Sequence, residues 1–214
     1  MSAKVTKKEV LTRFRTQEIL AAARQVMEAR GGWEAVTMEE IAQAAGVAKG
    51  TVYLYFQSKD HLICALMSQV GENLRRDLTG LLTAPEPAWD RLLAVMRLCL
   101  GYLRQERLLF PAYFRDLPRW LSKGGETPFR RIQELEEEIL AQLTQLFHQG
   151  VAQGEFVAAE PRLLTYLFRG LIRAVGHYQM QEAPEGGVDD AEPVLVALLG
   201  GLRQPGASRE VLSA

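Results

Sequence analysis

The feature that most constrains the fold is a pair of short helical patterns joined by a glycine, within residues 37–56. The segment "TMEE" is a capping box: the hydroxyl of Thr37 can accept a hydrogen bond from the third helical amide, and the last glutamate can reach back to the Thr37 amide. Gly46 is suited to the left-handed backbone conformation that commonly ends a helix. A second short helix is predicted over residues 49–56. Two short helices joined by a glycine-containing turn are typical of a helix-turn-helix unit.

The second helix has an unusual composition for a core helix. Val52 and Phe56, at i, i+4 spacing, would turn inward and leave the polar residues Lys49, Thr51, Tyr53 and Tyr55 outside. Gly50 would let a phosphate or base edge approach the backbone, and the hydroxyls could bind phosphate oxygens. Lys59, in the first turn of the next helix, adds charge beside unpaired amides, which suits a phosphate. This favours DNA binding, although similar turns with half-buried tyrosines also occur in other helical proteins.

The charge distribution agrees with this interpretation. The chain of 214 residues has a formal net charge of −1, but residues 1–30 carry seven basic and three acidic side chains, whereas residues 61–214 carry 16 basic and 19 acidic ones. Because residues 1–30 are basic and residues 61–214 are mildly acidic, only the first segment is expected to bind a polyanion.

The rest of the chain predicts an all-α fold of about nine helices in two layers, because apolar residues recur at helical spacing and no strand pattern is present. Residues 1–13 are expected to form a flexible basic arm, residues 14–74 the helix-turn-helix domain, and residues 75–214 a second helical domain. The predicted helices start near Thr16, Thr37, Lys49, Lys59, Trp89, Leu108, Thr127, Leu163 and Val194. Gly150 is expected to end the long seventh helix.

Several classes of protein are disfavoured. Cys64 and Cys99 lie in apolar helical patterns, so two structural thiols in a reduced, cytoplasmic protein are expected, with a redox switch between them as the alternative. The three histidines lack partners at ligand spacing, so no metal site is expected. No apolar run approaches the roughly 20 residues of a membrane span. We find no nucleophile elbow, phosphate-binding glycine loop or zinc motif, so neither an enzyme nor a cofactor is expected.

Residues 16–62 resemble the DNA-binding domain of the tetracycline-repressor-like (TetR) family of bacterial regulators. The resemblance rests on "TMEEIAQAAGVAKGTVYLYFQSKDHL", preceded by "ILAAARQVMEARGG". The predicted DNA-contacting residues are Thr37, Ala48, Lys49, Gly50, Thr51, Tyr53, Tyr55 and Lys59. One position departs from the family: residue 48 is Ala where Ser or Thr is frequent, so the third helix is expected to lack a side-chain cap.

The resemblance implies a homodimer that binds an inverted-repeat operator in double-stranded DNA, with the last two helices of each subunit pairing into a four-helix interface. Binding of a small-molecule effector would move the fourth helix. Repression is the family's commoner mode, while an activator or a ligand-independent DNA-binding protein stays open. The apolar composition of the last two helices fits an interface and an ordinary core equally well.

In the family, the ligand pocket lies between the fourth and eighth helices. Candidate lining residues here are Trp89, Met96, Cys99, Phe110, Tyr113, Phe114, Trp120, Arg169 and Arg173. Such pockets are mostly apolar with few polar anchors, and the arginines would suit an anionic ligand such as an acyl thioester or a carboxylate. For any single residue, core packing or solvation is the simpler interpretation.

Overall fold

The computed structural model describes residues 6–122, 127–182 and 190–204. In these residues the chain is all-α, with nine helices and no strand, which confirms the predicted fold class. The helices are α1 (Lys7–Arg30), α2 (Met38–Ala44), α3 (Lys49–Tyr55), α4 (Lys59–Leu82), α5 (Ala88–Gln105), α6 (Phe110–Ser122), α7 (Thr127–Ala152), α8 (Pro161–Gln181) and α9 (Ala191–Gly200).

The chain forms two compact units. The first comprises the described residues of Met1–Val70 and Ala112–Ile132, and the second those of Gly71–Pro111 and Gln133–Ala214. Helices α4, α6 and α7 each contribute residues to both units. The domain limits drawn at residues 14 and 75 remain a prediction from the sequence.

Helix α1 begins at Lys7 rather than near Thr16. Thr6 is its N-cap: the hydroxyl accepts a hydrogen bond from the Glu9 amide at 3.2 Å, and the Glu9 carboxylate accepts one from the Thr6 amide at 2.7 Å. The bonds to Thr6, the backbone one above all, lower the pKa of Glu9. The expected flexible arm is therefore wrong for residues 7–13, because a local capping box starts the helix there.

The first unit is held together by apolar side chains from each of its first four helices. Ile19, Ile41, Val52 and Leu62 are fully buried, and α2 contacts both α1 and α3. A seven-residue helix is too short to be stable alone in water. Burial of each such side chain contributes roughly 1.5–3 kcal/mol, so packing rather than helix propensity fixes the positions of α2 and α3.

In the second unit, α5, α8 and α9 contact one another. Their buried faces include Leu92 and Met96 on α5, Phe168 on α8 and Leu199 on α9. Glu155, in the segment after α7, caps the start of α5: its carboxylate accepts hydrogen bonds at 2.9 and 3.0 Å from the first two amides of that helix. A carboxylate at a helix N-terminus also interacts favourably with the helix dipole.

Gly150 lies inside α7, which continues to Ala152, so the prediction that Gly150 ends this helix is wrong. Gly154, with a φ of 72°, adopts the left-handed conformation after the helix instead. The ring of Phe156 packs directly on Gly150, where an added Cβ would lie 2.2 Å from two ring carbons. A contact with the ring of Phe156, six residues later, rather than helix termination, therefore explains this glycine.

The two cysteines are not joined in a disulfide. Cys64 is buried and Cys99 half-buried. Burial raises the pKa of the Cys99 thiol to about 12, so this thiol is protonated and weakly nucleophilic at neutral pH. This supports structural thiols over a redox switch.

Across the part of the chain that the structure describes, no helix combines the length and apolar character needed to cross a membrane. The same residues contain no group of three or more His, Cys, Asp or Glu side chains that could hold a metal ion.

Candidate nucleic-acid interface

Helices α2 and α3 are joined by a tight turn at Gly46. The Val47 amide donates to the Ala42 carbonyl at 3.0 Å, and the Gly46 amide donates to the Gln43 carbonyl at 3.1 Å, a pair of bonds that defines a Schellman C-cap. Gly46 has a φ of 64°, a left-handed conformation that is costly for a residue with a Cβ. The predicted helix end at Gly46 is confirmed, and a helix-turn-helix unit is present.

Thr37 begins α2 with the predicted capping box. Its hydroxyl accepts from the Glu40 amide at 3.2 Å, and the Glu40 carboxylate accepts from the Thr37 amide at 2.9 Å. Hydrogen bonds from Thr37 and then from Arg30 lower the pKa of Glu40. Thr37 thus has a structural role in the chain without DNA, and its DNA contact stays a prediction.

The inward side of α3 is as predicted. Val52 is fully buried, and Phe56, directly after the helix, is 6% exposed. Ala48 is the N-cap and supplies no side-chain hydrogen bond. Among the residues that the structure describes, a methyl group at Gly50 would meet no atom within 4 Å, so packing in this part of the chain does not require glycine at this position. The space over Gly50 is open to a group approaching from outside.

The outward side of α3 carries several polar side chains, and Lys49 among them makes an exposed ion pair. The Lys49 ammonium pairs with Glu39 and lies 5.8 Å from the centre of the Tyr53 ring. Thr51 and Tyr55, four residues apart, are both half-buried along one edge of this surface. Exposed ion pairs contribute little to stability, so a DNA phosphate could replace Glu39 as the partner of Lys49 at small cost.

Lys59, a predicted phosphate contact, turns back onto the chain. Its ammonium donates to the Glu34 carbonyl at 3.0 Å and lies 5.2 Å from the centre of the Trp33 ring. Burial lowers the pKa of Lys59. These contacts hold the ammonium against the α1–α2 connection. The phosphate contact itself remains a prediction.

Leu54 belongs to the same surface, although the sequence analysis did not select it. Its side chain is 83% exposed, against 41% for the adjacent Tyr53. The helical period predicts this exposure. Leu54 is four residues after Gly50 and two after the buried Val52, so it lies opposite the core-facing side.

Two arginines of α6 bind carboxylates of the helix-turn-helix region. Arg115 lies 2.5 Å from Glu34 and 2.6 Å from Asp116, and Arg119 lies 3.0 Å from Asp60 at the start of α4. All of these residues belong to the first unit. Helix α6 is therefore tied to both the α1–α2 connection and the beginning of α4.

The predicted ligand residues divide between the two units. In the first unit, Tyr113 has its ring centre 5.6 Å from that of Phe114 and 6.3 Å from that of Trp120. Trp120 is fully buried, and its indole nitrogen makes no hydrogen bond in the structure. These three aromatic residues thus form one cluster, with Tyr113 in contact with both of the others.

In the second unit, Met96 is buried, Cys99 is half-buried, and Arg169 pairs with Glu136. Phe110 is half-buried, and Arg173 is exposed. Trp89 lies ten residues before Cys99, about 15 Å away along α5 at the usual rise per residue. The structure therefore separates Trp89 from Cys99, and the ligand pocket as a whole stays a prediction.

An open cavity of about 820 Å³ lies in the second unit, lined by residues 82–87 with Arg91, Gln149, Gln153 and Glu155. None of the predicted ligand residues lines it. Arg91 is buried and donates to the Leu82 carbonyl at 2.8 Å and to the Gln149 side chain at 3.0 Å. Its charge therefore caps the C-terminal end of α4.

Comparison with known proteins supports this description of the helix-turn-helix unit. Residues 19–66 match the family model of bacterial regulatory proteins, tetR family. The chain is 25% identical over 201 residues to the nucleoid occlusion factor SlmA of Serratia proteamaculans (strain 568), covering 91% of this chain and all of SlmA.

Two solved structures share the fold. The regulator FadR of Bacillus subtilis, in complex with stearoyl-CoA, has a TM-score of 0.67 and 23% identity, covering 87% of this chain and 99% of FadR. AibR, in complex with isovaleryl coenzyme A and operator DNA, has a TM-score of 0.66 and 21% identity, covering 88% of this chain and 99% of AibR.

The matched segment contains the whole helix-turn-helix unit, including the Schellman turn at Gly46 and the outward surface of α3. This agreement between the sequence match and the local geometry identifies residues 19–66 as a DNA-binding domain of the kind found in the tetR family of bacterial regulatory proteins, and the chain as a DNA-binding transcriptional regulator.

Proposed function

We propose that this regulator is a homodimeric repressor that binds an inverted-repeat operator and is released from it by an acyl-coenzyme A thioester. The dimer rests on one observation above all. Large apolar side chains on α8 and α9 are 51–58% exposed: Leu163, Tyr166, Leu167, Tyr178, Val194 and Leu198. They do not belong to the core, so these exposed side chains contribute little to packing within a single chain.

The exposed positions on α8 recur at three- and four-residue intervals, which places them on one face of the helix. Gly170 and Ala174, also exposed, lie on the same face and would allow close approach of a partner helix. Contiguous apolar surface of this kind marks an interaction site on a protein that is otherwise charged. A second copy of the same face is self-complementary under two-fold symmetry.

Two-fold symmetry of the protein would be mirrored in the DNA. We expect selection from random-sequence duplexes to yield an inverted repeat with half-site centres about 34–36 Å apart, or a multiple of one helical turn. Enrichment of a single, asymmetric half-site, or of no sequence, would contradict the proposal.

Lys59→Met is expected to reduce the slope of log affinity against log salt concentration by about 1 per subunit, because one phosphate contact is lost. The methionine keeps an aliphatic stem against Trp33, so thermal stability should change little. Titrations with labelled operator over about 50–200 mM salt measure the slope. Arg76→Gln, which removes an exposed charge of the second unit, should leave it unchanged. An unaltered slope in Lys59→Met would exclude the phosphate contact.

The effector class rests on two features. FadR binds stearoyl-CoA and AibR binds isovaleryl coenzyme A. This chain has apolar α5 residues, Met96 and Cys99, in the same unit as Arg169. The apolar α5 residues would bind the acyl chain, and the cationic side chain would bind the anionic coenzyme. Helix α4 has residues in both units and begins at Lys59, so its displacement by ligand would reach the DNA contacts.

Acyl-coenzyme A thioesters from isovaleryl to stearoyl are expected to bind the DNA-bound protein about 5–150-fold more weakly than the free protein, because coupling between two sites is reciprocal. Calorimetric titration of each thioester into free and operator-bound protein measures the ratio. Equal affinity in both states would rule out that thioester as the effector, however tightly it binds.

A ligand-independent DNA-binding factor is the second candidate, favoured by the match to the nucleoid occlusion factor SlmA over 91% of this chain. The calorimetric experiment separates the two candidates. If no thioester changes operator affinity and the protein occupies many sites across the chromosome by immunoprecipitation, the second candidate is supported.

A further inference from the structure

Leu54 stands at the centre of the outward surface of α3. At 100° per residue, Leu54 lies about 200° and Gly50 about 160° around the helix from the buried Val52. Leu54 and Gly50 are therefore neighbours, one turn apart, on the side that faces directly away from the core. The leucine is 83% exposed, and a Cβ at Gly50 would meet nothing within 4 Å.

An exposed leucine at this position has no function in the isolated chain. Its side chain carries no polar atom, and lysine, glutamine or arginine would be equally compatible with a helix while interacting better with water. Val52, the buried residue of α3, faces the other way. Any contribution of this side chain to affinity would therefore be made in a complex.

The second helix of a helix-turn-helix unit enters the major groove of DNA. The groove presents hydrogen-bonding groups at every base pair but only one apolar group, the C5 methyl of thymine. Lys49 and Tyr53, on the same surface, carry an ammonium and a hydroxyl for phosphates and base edges. Leu54 has neither.

We infer that Leu54 packs on a thymine methyl and specifies thymine at one position of each operator half-site. The absence of a side chain at Gly50 lets the α3 backbone approach closely enough for a leucine one turn later to reach a base edge. This inference rests on α3 being the DNA-recognition helix of the regulator identified above. A protein partner on the same leucine is the alternative occupant, which the test distinguishes.

The test replaces thymine by deoxyuridine, which removes only the methyl group. A duplex selected from a random library by the wild-type protein is synthesised with deoxyuridine at each thymine in turn, and affinities are measured by fluorescence anisotropy. Affinity should fall about 4-fold at one thymine of each half-site and about 15-fold when both are replaced, the effect of one and two buried methyl groups.

Leu54→Ala should bind the thymine and deoxyuridine duplexes with equal affinity, whereas the matched variant Leu11→Ala, at another exposed leucine of the same unit, should keep the wild-type preference. A wild-type protein that selects a site but shows no effect of deoxyuridine overturns the inference and leaves the regulator intact. So does a Leu54→Ala variant with an undiminished thymine preference, the result expected if a protein partner covers Leu54. If the library yields no enriched sequence, sequence-specific DNA binding fails as well.

Discussion

Leu167→Glu is expected to convert the dimer into a monomer and to lower affinity for the complete operator by about 10²–10⁴-fold, the advantage that joining two binding modules provides. Leu167 is 51% exposed in the middle of the apolar face of α8. In a two-fold interface the substitution places two carboxylates opposite each other. Burying these like charges against each other in an apolar interface is strongly destabilising.

The substitution should spare the rest of the molecule, because Leu167 does not belong to the core. The isolated monomer should unfold near the wild-type temperature at low protein concentration and bind a single half-site with nearly wild-type affinity. Sedimentation velocity measures the oligomeric state, and titration with one-half-site and two-half-site duplexes measures the loss of cooperation between subunits.

Gln145→Glu is the matched control, because it introduces the same carboxylate at an exposed position of α7 in the same unit. It should remain dimeric and keep full operator affinity. If Leu167→Glu also stayed dimeric at micromolar concentration, the α8–α9 face would not be the subunit interface, and the six exposed apolar side chains would require another partner.

The helix-turn-helix unit could be predicted from the sequence because its signals are local. Thr37 and Glu40 are three residues apart, and the Schellman bonds at Gly46 span five residues. Each signal involves groups that are necessarily close in the chain, so no knowledge of tertiary packing was needed. The capping box at Thr6 is equally local and was overlooked among polar residues, which shows that composition is a weaker indicator than a specific cap.

The contacts of the site could not be predicted where they depend on distant residues. Lys59 binds the carbonyl of Glu34, 25 residues earlier in the chain, and Arg115 binds the side chain of the same residue from 81 residues later. A cationic side chain follows whichever acceptors the fold brings near it. The sequence therefore identified the charged residues but not their partners in the chain without DNA.

Gly150 is the clearest case of a residue whose role is set by packing. By its sequence context it ends a helix, whereas in the structure Phe156 returns to α7 and places its ring where a Cβ would lie. Phe156 is itself 1% exposed and has its ring centre 5.5 Å from that of Phe147. The ring cannot retreat without disturbing this buried aromatic pair, because interiors are close-packed.

Gly150→Ala is accordingly expected to destabilise the protein by about 3 kcal/mol, at the upper end for an overpacked core. The melting temperature should fall by roughly 6–12 °C for a chain of this size. Gly80→Ala is the matched control, since a Cβ there meets no atom within 4 Å in α4. It should raise stability by about 0.5–1 kcal/mol, because alanine restricts the unfolded chain and favours helix. Calorimetry or chemical denaturation of both variants gives the comparison.

The double variant Gly150→Ala, Phe156→Leu tests why Gly150→Ala destabilises the protein. The cause is either a steric clash with the Phe156 ring or the loss of glycine itself within α7. Leucine is smaller than phenylalanine, so it should relieve the clash with the new methyl group, although Phe156→Leu alone removes buried aromatic contacts and should itself cost stability. The two substitutions should therefore be non-additive, with the double variant more stable than the sum of the single losses predicts. Strict additivity would mean that the ring of Phe156 does not press on Gly150, and the reason for a glycine inside α7 would have to lie in the helix itself.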